Sequence, residues 1–178
     1  MGKHCDILLA GFGGQGILFF GKAIAYAGMQ NESEVSWIPS YGPEMRGGTC
    51  NCSVVVSDEP VGCPIVTAPN VFVAMNRPSL DKFENSVVSG GVVVVDSTLV
   101  NREPERNDIT FFAIPATQMA KEAGISKLAN MIVLGKVLKE TQFVSYETFM
   151  TALEKMIPES KKAMLEVNKK AVDMGYQY

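Results

Sequence analysis

The sequence predicts an α/β fold, and three observations carry that expectation. Apolar strand patterns alternate with helical ones as far as Ile114. A glycine-rich turn stands at the first strand–helix junction. Val92–Val95 is apolar at every position, as expected of a strand buried on both faces of a mostly parallel sheet. At 178 residues the chain can bury one good core, so residues 1–178 are read as a single domain.

The elements follow in order. Ile7, Leu8, Leu9 and Ala10 form a strand that runs into Gly11-Phe12-Gly13-Gly14-Gln15-Gly16. A helix then begins, with Ile17, Leu18, Phe20, Gly21, Ile24 and Ala25 on its buried side. Glu34–Ile38 reads as a second strand. Thr49–Ser57 reads as a third, with Cys50, Cys52, Val54 and Val56 on one face and Thr49, Asn51 and Ser53 on the other. Between these strands lies a Gly/Pro-rich loop in place of a helix. A parallel pair needs roughly a dozen crossover residues, usually helical, so strands two and three are expected to be antiparallel or splayed. Val71–Met75 is a strand, Ser79 can cap a helix reaching about Val87, and Ile109–Ile114 joins Val92–Val95 in a central sheet. From Thr117 onward helices are expected over about 117–123, 127–140, 145–157 and 159–174, with Pro158 breaking the last two. The whole reads as a Rossmann-like three-layer sandwich, modified around strands two and three, with a helical C-terminal third.

The glycine turn carries the chemistry. Strand, turn and helix start gather backbone N–H groups at the positive end of a helix dipole, which suits an anion. Gly11, Gly13 and Gly16 fit a tight turn, close ligand approach and close helix–strand packing. No Walker lysine follows Gly16, and the second strand ends in Ile38-Pro39-Ser40 without the acid that would hold a dinucleotide's ribose. Ligands of open α/β sheets bind beyond the strand ends, so the residues that follow each strand are the candidates. Arg46, flanked by Gly47 and Gly48, can grip phosphate bidentately or pair with Glu44. Tyr41 can stack on a ring or cover the sheet edge, and Gln15 can reach a ligand or the helix backbone. Asn76-Arg77 reads as a strand end and helix entry. Asp96 reads as the cap of a turn or helix.

A net charge of −3 without a basic, aromatic-laced stripe speaks against nucleic-acid binding, and no apolar run approaches the ~20 residues of a membrane span. The first strand is too short for a signal peptide, so a cytoplasmic location is expected. Cys5, Cys50, Cys52 and Cys63 lack CxxC spacing, His4 is the only histidine, and the thiols read as structural, with no metal site on this chain. No His-based dyad and no thiamine diphosphate motif is present. The chain therefore reads as a binding and assembly module.

Three blocks go beyond a generic fold: GFGGQGILFFGKAIAYAG (11–28), SYGPEMRGGTCNCSVVVSDEPVGCPIV (40–66) and NVFVAMNRPSLDKF (70–83). Together they resemble the gamma subunit of the 2-oxoacid:ferredoxin oxidoreductases, in the branches acting on 2-oxoglutarate, branched-chain 2-oxoacids or pyruvate. The resemblance implies one subunit of a complex that converts 2-oxoacid and coenzyme A to acyl-CoA, carbon dioxide and reduced ferredoxin. It implies alpha and beta partner chains and a small ferredoxin-like delta chain. Thiamine diphosphate, magnesium and iron–sulfur clusters would belong to those partners, and ferredoxin would be met through the complex. Carried onto this chain, Gly11, Gly13, Gly14, Gln15 and Gly16 would approach the coenzyme A phosphates. Tyr41, Gly42, Pro43, Arg46, Gly47 and Gly48 would form the neighbouring loop. A purely structural subunit of the same complex and a stand-alone nucleotide-binding protein remain the alternatives.

Overall fold

A computed structural model describes residues 4–40 and 49–178. Tyr41, Gly42, Pro43, Arg46, Gly47 and Gly48 lie outside the described residues. The described elements are β1 (His4–Phe12), α1 (Ile17–Gln30), β2 (Glu34–Ser40), β3 (Thr49–Ser57), β4 (Val71–Ala74), α2 (Arg77–Phe83), β5 (Val92–Asp96), β6 (Thr110–Ile114), α3 (Ala116–Glu122), α4 (Ala129–Thr141), α5 (Tyr146–Met156) and α6 (Lys162–Gln177).

The six strands form one sheet in the order β2-β3-β1-β4-β5-β6. β1, β4, β5 and β6 are parallel, while β3 runs antiparallel to both β1 and β2. The missing crossover helix between β2 and β3 thus has the expected consequence. β3 turns back between two strands that point the same way, so β2 also ends on the rim where β1 ends. Phe12 pairs with Thr49, and Ser40 pairs with Asn51. Thr49 therefore stands beside the glycine turn, and Ser40 stands on the same rim with β3 between it and β1.

Alternation along the strands divides the core in two. Ile7, Leu9, Cys52 and Val54 face α1 and α4 and pack with Phe20, Ile24, Met131, Leu134 and Phe149. Leu8, Ala10 and Val55 face the other way, with Phe72, Leu80, Val93 and Val95. Fully burying an aliphatic or phenyl side chain stabilises by about 1.5–3 kcal/mol, so the larger first cluster dominates the fold. Cys50 and Cys52 are 3% and 0% exposed and act as small apolar residues, and burial pushes the Cys52 thiol up to about 12. No disulfide joins the four cysteines.

Three local expectations are corrected. β6 is an edge strand, with Thr110 and Ala113 exposed, so of the two strands expected to be buried on both faces only β5 is. Ser79 does not cap α2. Asn76 does, its Oδ1 accepting from the Ser79 N–H at 2.9 Å, and the α-helix ends at Phe83 before a 3-10 turn over Glu84–Ser86. The helices expected from 127 and 159 each begin with a 3-10 turn, at Ser126–Leu128 and Glu159–Lys161. Side-chain oxygens compete for helix starts, and residues three apart can exchange roles as cap and N3, which accounts for the Asn76/Ser79 error.

Candidate anion-binding crevice at the strand ends

The glycine turn is shaped by close packing. A Cβ on Gly11 would come within 2.7 Å of Ile17 Cδ1, 2.8 Å of Gln15 Oε1 and 3.0 Å of Met75 Cβ, so a side chain there would displace the turn. Gly16, the N-cap of α1, has φ 75°, and a Cβ would lie 2.5 Å from Asn130 Nδ2. Gly14 also lies in the left-handed region at φ 96°, but nothing stands within 4 Å of where its Cβ would be. Gly13 and Gly14 are exposed. The turn is thus packed tightly at its two ends and open at Gly14.

Gln15 ties this turn to the neighbouring strand. Its Oε1 accepts from the Phe12 N–H at 2.6 Å and from Asn76 Nδ2 at 3.0 Å, and its Nε2 donates to the Met75 carbonyl at 3.0 Å. These bonds run to the end of β1 and to the residues that follow β4 rather than to the helix backbone, so Gln15 braces the two strands. Asn76 completes that brace while capping α2, as a strand end and helix entry should. Asp96 is fully buried. Its carboxylate accepts from the Thr98 and Thr117 N–H groups and from Thr117 Oγ1, so it caps both the turn after β5 and the start of α3.

α1 opens with no side-chain cap and no acid in its first turn. Its leading N–H groups have no intrahelical acceptors, and they carry the positive end of the dipole. Beside it lies a cavity of about 190 Å³ lined by Gly14, Gln15, Met75, Thr117, Ser126, Lys127, Ala129 and Asn130. Asn130, 3% exposed, donates from Nδ2 to the Gly16 carbonyl at 3.2 Å and so locks α4 to the glycine turn.

The structure brings Gly14 and Gln15 to this cavity, with Gly16 bonded to its wall. Sequence reading missed Ser126, Lys127 and Asn130, which come from the start of α4, more than a hundred residues away. One signal was available. Lys127 precedes α4, whose first turn holds no acid, so it is a cation at the end where a helix dipole favours anions. Among the described residues, no three His, Cys, Asp or Glu side chains gather as a metal-ligand set, and no helix is long and apolar enough to cross a membrane.

Residues 6–178 match the family described as pyruvate ferredoxin/flavodoxin oxidoreductase. Ketoisovalerate oxidoreductase subunit VorA of Methanothermobacter thermautotrophicus is 36% identical over 97% of this chain and 36% of its own length. The chain thus spans about a third of the first curated relatives it matches. The crystal structure of a keto/oxoacid ferredoxin oxidoreductase gamma subunit from Geobacter sulfurreducens superposes with a TM-score of 0.86 at 32% identity, over 98% of this chain and 95% of that one. The 2-oxoglutarate:ferredoxin oxidoreductase of Magnetococcus marinus, with 2-oxoglutarate, coenzyme A and succinyl-CoA bound, superposes with a TM-score of 0.85 at 27% identity, over 98% of this chain and 31% of that one.

Proposed function

This chain belongs to the pyruvate ferredoxin/flavodoxin oxidoreductase family, in its gamma-subunit form, and we propose that it helps build the coenzyme A site of a 2-oxoacid:ferredoxin oxidoreductase. The complex would convert 2-oxoacid, coenzyme A and oxidised ferredoxin to acyl-CoA, carbon dioxide and reduced ferredoxin. Thiamine diphosphate with magnesium would supply the decarboxylation and the iron–sulfur clusters the electron path, both on alpha, beta and ferredoxin-like partners. The dispersed cysteines of this chain, two of them buried as core, do not fit a cluster. Its own residues would bind and orient the acyl acceptor.

One observation carries the reading: several anion-binding features share one rim of the sheet. The open Gly14, the uncapped start of α1, Lys127 and both anchors of the 41–48 segment all stand there. Gly11, Gly13, Gly14, Gln15 and Gly16 would shape the phosphate approach. Gln15 would act by bracing the turn. Tyr41, Gly42, Pro43, Arg46, Gly47 and Gly48 would complete the site from the adjoining segment. The likeness to a structure containing coenzyme A supports the same ligand. The place of action would be the cytoplasm, where coenzyme A is held.

The test is anaerobic purification of this chain from its host, with identification of what co-purifies and assay of coenzyme A-dependent dye reduction on several 2-oxoacids. Partner chains with such activity are expected. A chain that is abundant yet comes out alone and inactive would refute the proposal.

A further inference from the structure

We propose that two copies of this chain pair through the outer edge of β6, antiparallel about a two-fold axis at Phe112, so that their sheets join edge to edge. This goes beyond the coenzyme A reading and does not rest on it.

β6 ends the sheet, with β5 on one side only. The Thr110 N–H donates to the Gly91 carbonyl, and the Ile114 carbonyl accepts from the Ser97 N–H. Thr110, Phe112 and Ile114 therefore turn their backbone groups toward β5. Backbone direction alternates along a strand, so the N–H and C=O of Phe111 and Ala113 point outward. Among the described residues, no loop or side chain bonds to them, and Ala113 is exposed. Natural proteins guard such an edge with a charge, a proline or a bulge. β6 has none of these: it reads Thr-Phe-Phe-Ala-Ile, and its register with β5 runs unbroken from Thr110 to Ile114. β2, the opposite edge, is guarded by Pro39 and Glu34.

The spacing of the outward groups selects a second copy as the occupant. With Phe112 set opposite itself across the axis, Phe111 of each chain meets Ala113 of the other, and each such pair exchanges both of its N–H···O bonds. The side chains agree with this register. Each Phe111 ring lies beside a methyl group instead of a second ring, and the two Phe112 rings stand side by side. Lys136 lies over the Phe112 ring, its Nζ 5.1 Å from the centre, and pairs with Glu140 at 2.7 Å, so each cation arrives with its counter-charge. A two-fold contact also closes on itself. β6 laid against β2 of the next copy would instead build an open fibre, which Pro39 opposes.

Sedimentation equilibrium of the full chain under reducing conditions reads the association. A reversible dimer with a micromolar Kd is expected, at the weak end of specific contacts, because one short strand from each copy forms its centre. Ala113→Pro removes one outward N–H from each copy and leaves the β5 ladder whole. It should raise the dimer Kd by about thirtyfold, the scale of two backbone hydrogen bonds. Ala113→Lys puts a charge at an exposed edge position and should weaken the dimer without removing a donor, which decides the matter if the proline variant fails to fold. Register is read with Phe112→Cys in a Cys63→Ser background. Directly opposed residues of a non-hydrogen-bonded pair have Cα atoms about 4.5 Å apart, so mild oxidation should link the two copies at position 112. A native chain that stays monomeric at about 1 mM would overturn the proposal. So would a dimer that neither Ala113 variant weakens, or one that oxidation of the Phe112→Cys chain fails to link. A chain that is monomeric alone, yet has its Phe111 and Ala113 amides protected from hydrogen exchange in the complex, would give the edge to a partner's strand and overturn the pairing of copies.

Discussion

Gly135→Ala sets two principles against each other. By intrinsic propensity, alanine in a helix interior is better than glycine by about 1 kcal/mol, so the variant would be more stable. Packing predicts the opposite. Gly135 on α4 faces α6, where a Cβ would overlap the Val172 carbonyl oxygen and lie 2.8 Å from the Tyr176 nitrogen. The crossing is reciprocal, because a Cβ on Gly175 would overlap the Ile132 carbonyl. Ordinary contact begins at 3.4 Å, so relief against Tyr176 N alone needs 3.4 − 2.8 = 0.6 Å of movement. The obstacle is backbone, and α4 cannot retreat because Val133 and Val137, on its opposite side, are fully buried. Overpacking of this kind costs about 3 kcal/mol at the upper end of its usual range. Subtracting the propensity gain leaves a net loss of about 2 kcal/mol, or a fall in Tm of roughly 4–8 °C for a chain of this size. Thermal unfolding followed by circular dichroism, native against variant, reads this directly. An unchanged or higher Tm would show that the helices do not cross through their glycines.

Three further outcomes follow from the structure. Glu84 is 3% exposed and accepts from Arg102 at 2.7 Å and from the Glu105 and Arg106 N–H groups. Glu84→Ala should therefore cost about 2 kcal/mol in urea unfolding, since it leaves two amides without this acceptor and Arg102 with Asp81 as its remaining carboxylate partner, and a loss under about 1 kcal/mol would contradict that role. In the native protein a thiol reagent should label Cys63, which is exposed, while burial keeps Cys50 and Cys52 protonated and unreactive until the chain unfolds. Labelling of Cys52 as fast as Cys63, by peptide mass mapping, would refute this. The Arg106 guanidinium holds the Asp108 carboxyl down to about 2, from an ordinary 3.8. A depressed carboxyl stabilises above its unfolded pKa and ceases to as it protonates. The stability gap between native protein and Asp108→Asn should thus be full above about pH 4 and shrink as pH falls toward 2. A gap constant over that range would contradict the pairing.

What the sequence made legible was local. The β1–glycine turn–α1 unit, the antiparallel turn-back at β3 and the paired burial of Cys50 and Cys52 all follow from side-chain period or loop length within a few dozen residues. Errors arose where two readings shared one local pattern. Asn76 and Ser79 are both good caps three residues apart, and a β-branched, aromatic strand such as β6 reads alike whether central or at an edge. The hidden part of the site was non-local. Nothing near residue 127 announces that α4 will start against Gly16, because that contact is created by the parallel crossovers that carry the chain from β4 to α4. Gly135 and Gly175 were silent for the same reason, each taking its meaning from the other helix.

Whether this subunit shapes the coenzyme A site is decided by Arg46→Ala in the assembled complex. KM is measured for coenzyme A and for the 2-oxoacid under the same conditions. A several-fold rise in the coenzyme A KM with the 2-oxoacid KM unchanged is expected. A rise confined to the 2-oxoacid, with coenzyme A kinetics intact, would contradict it.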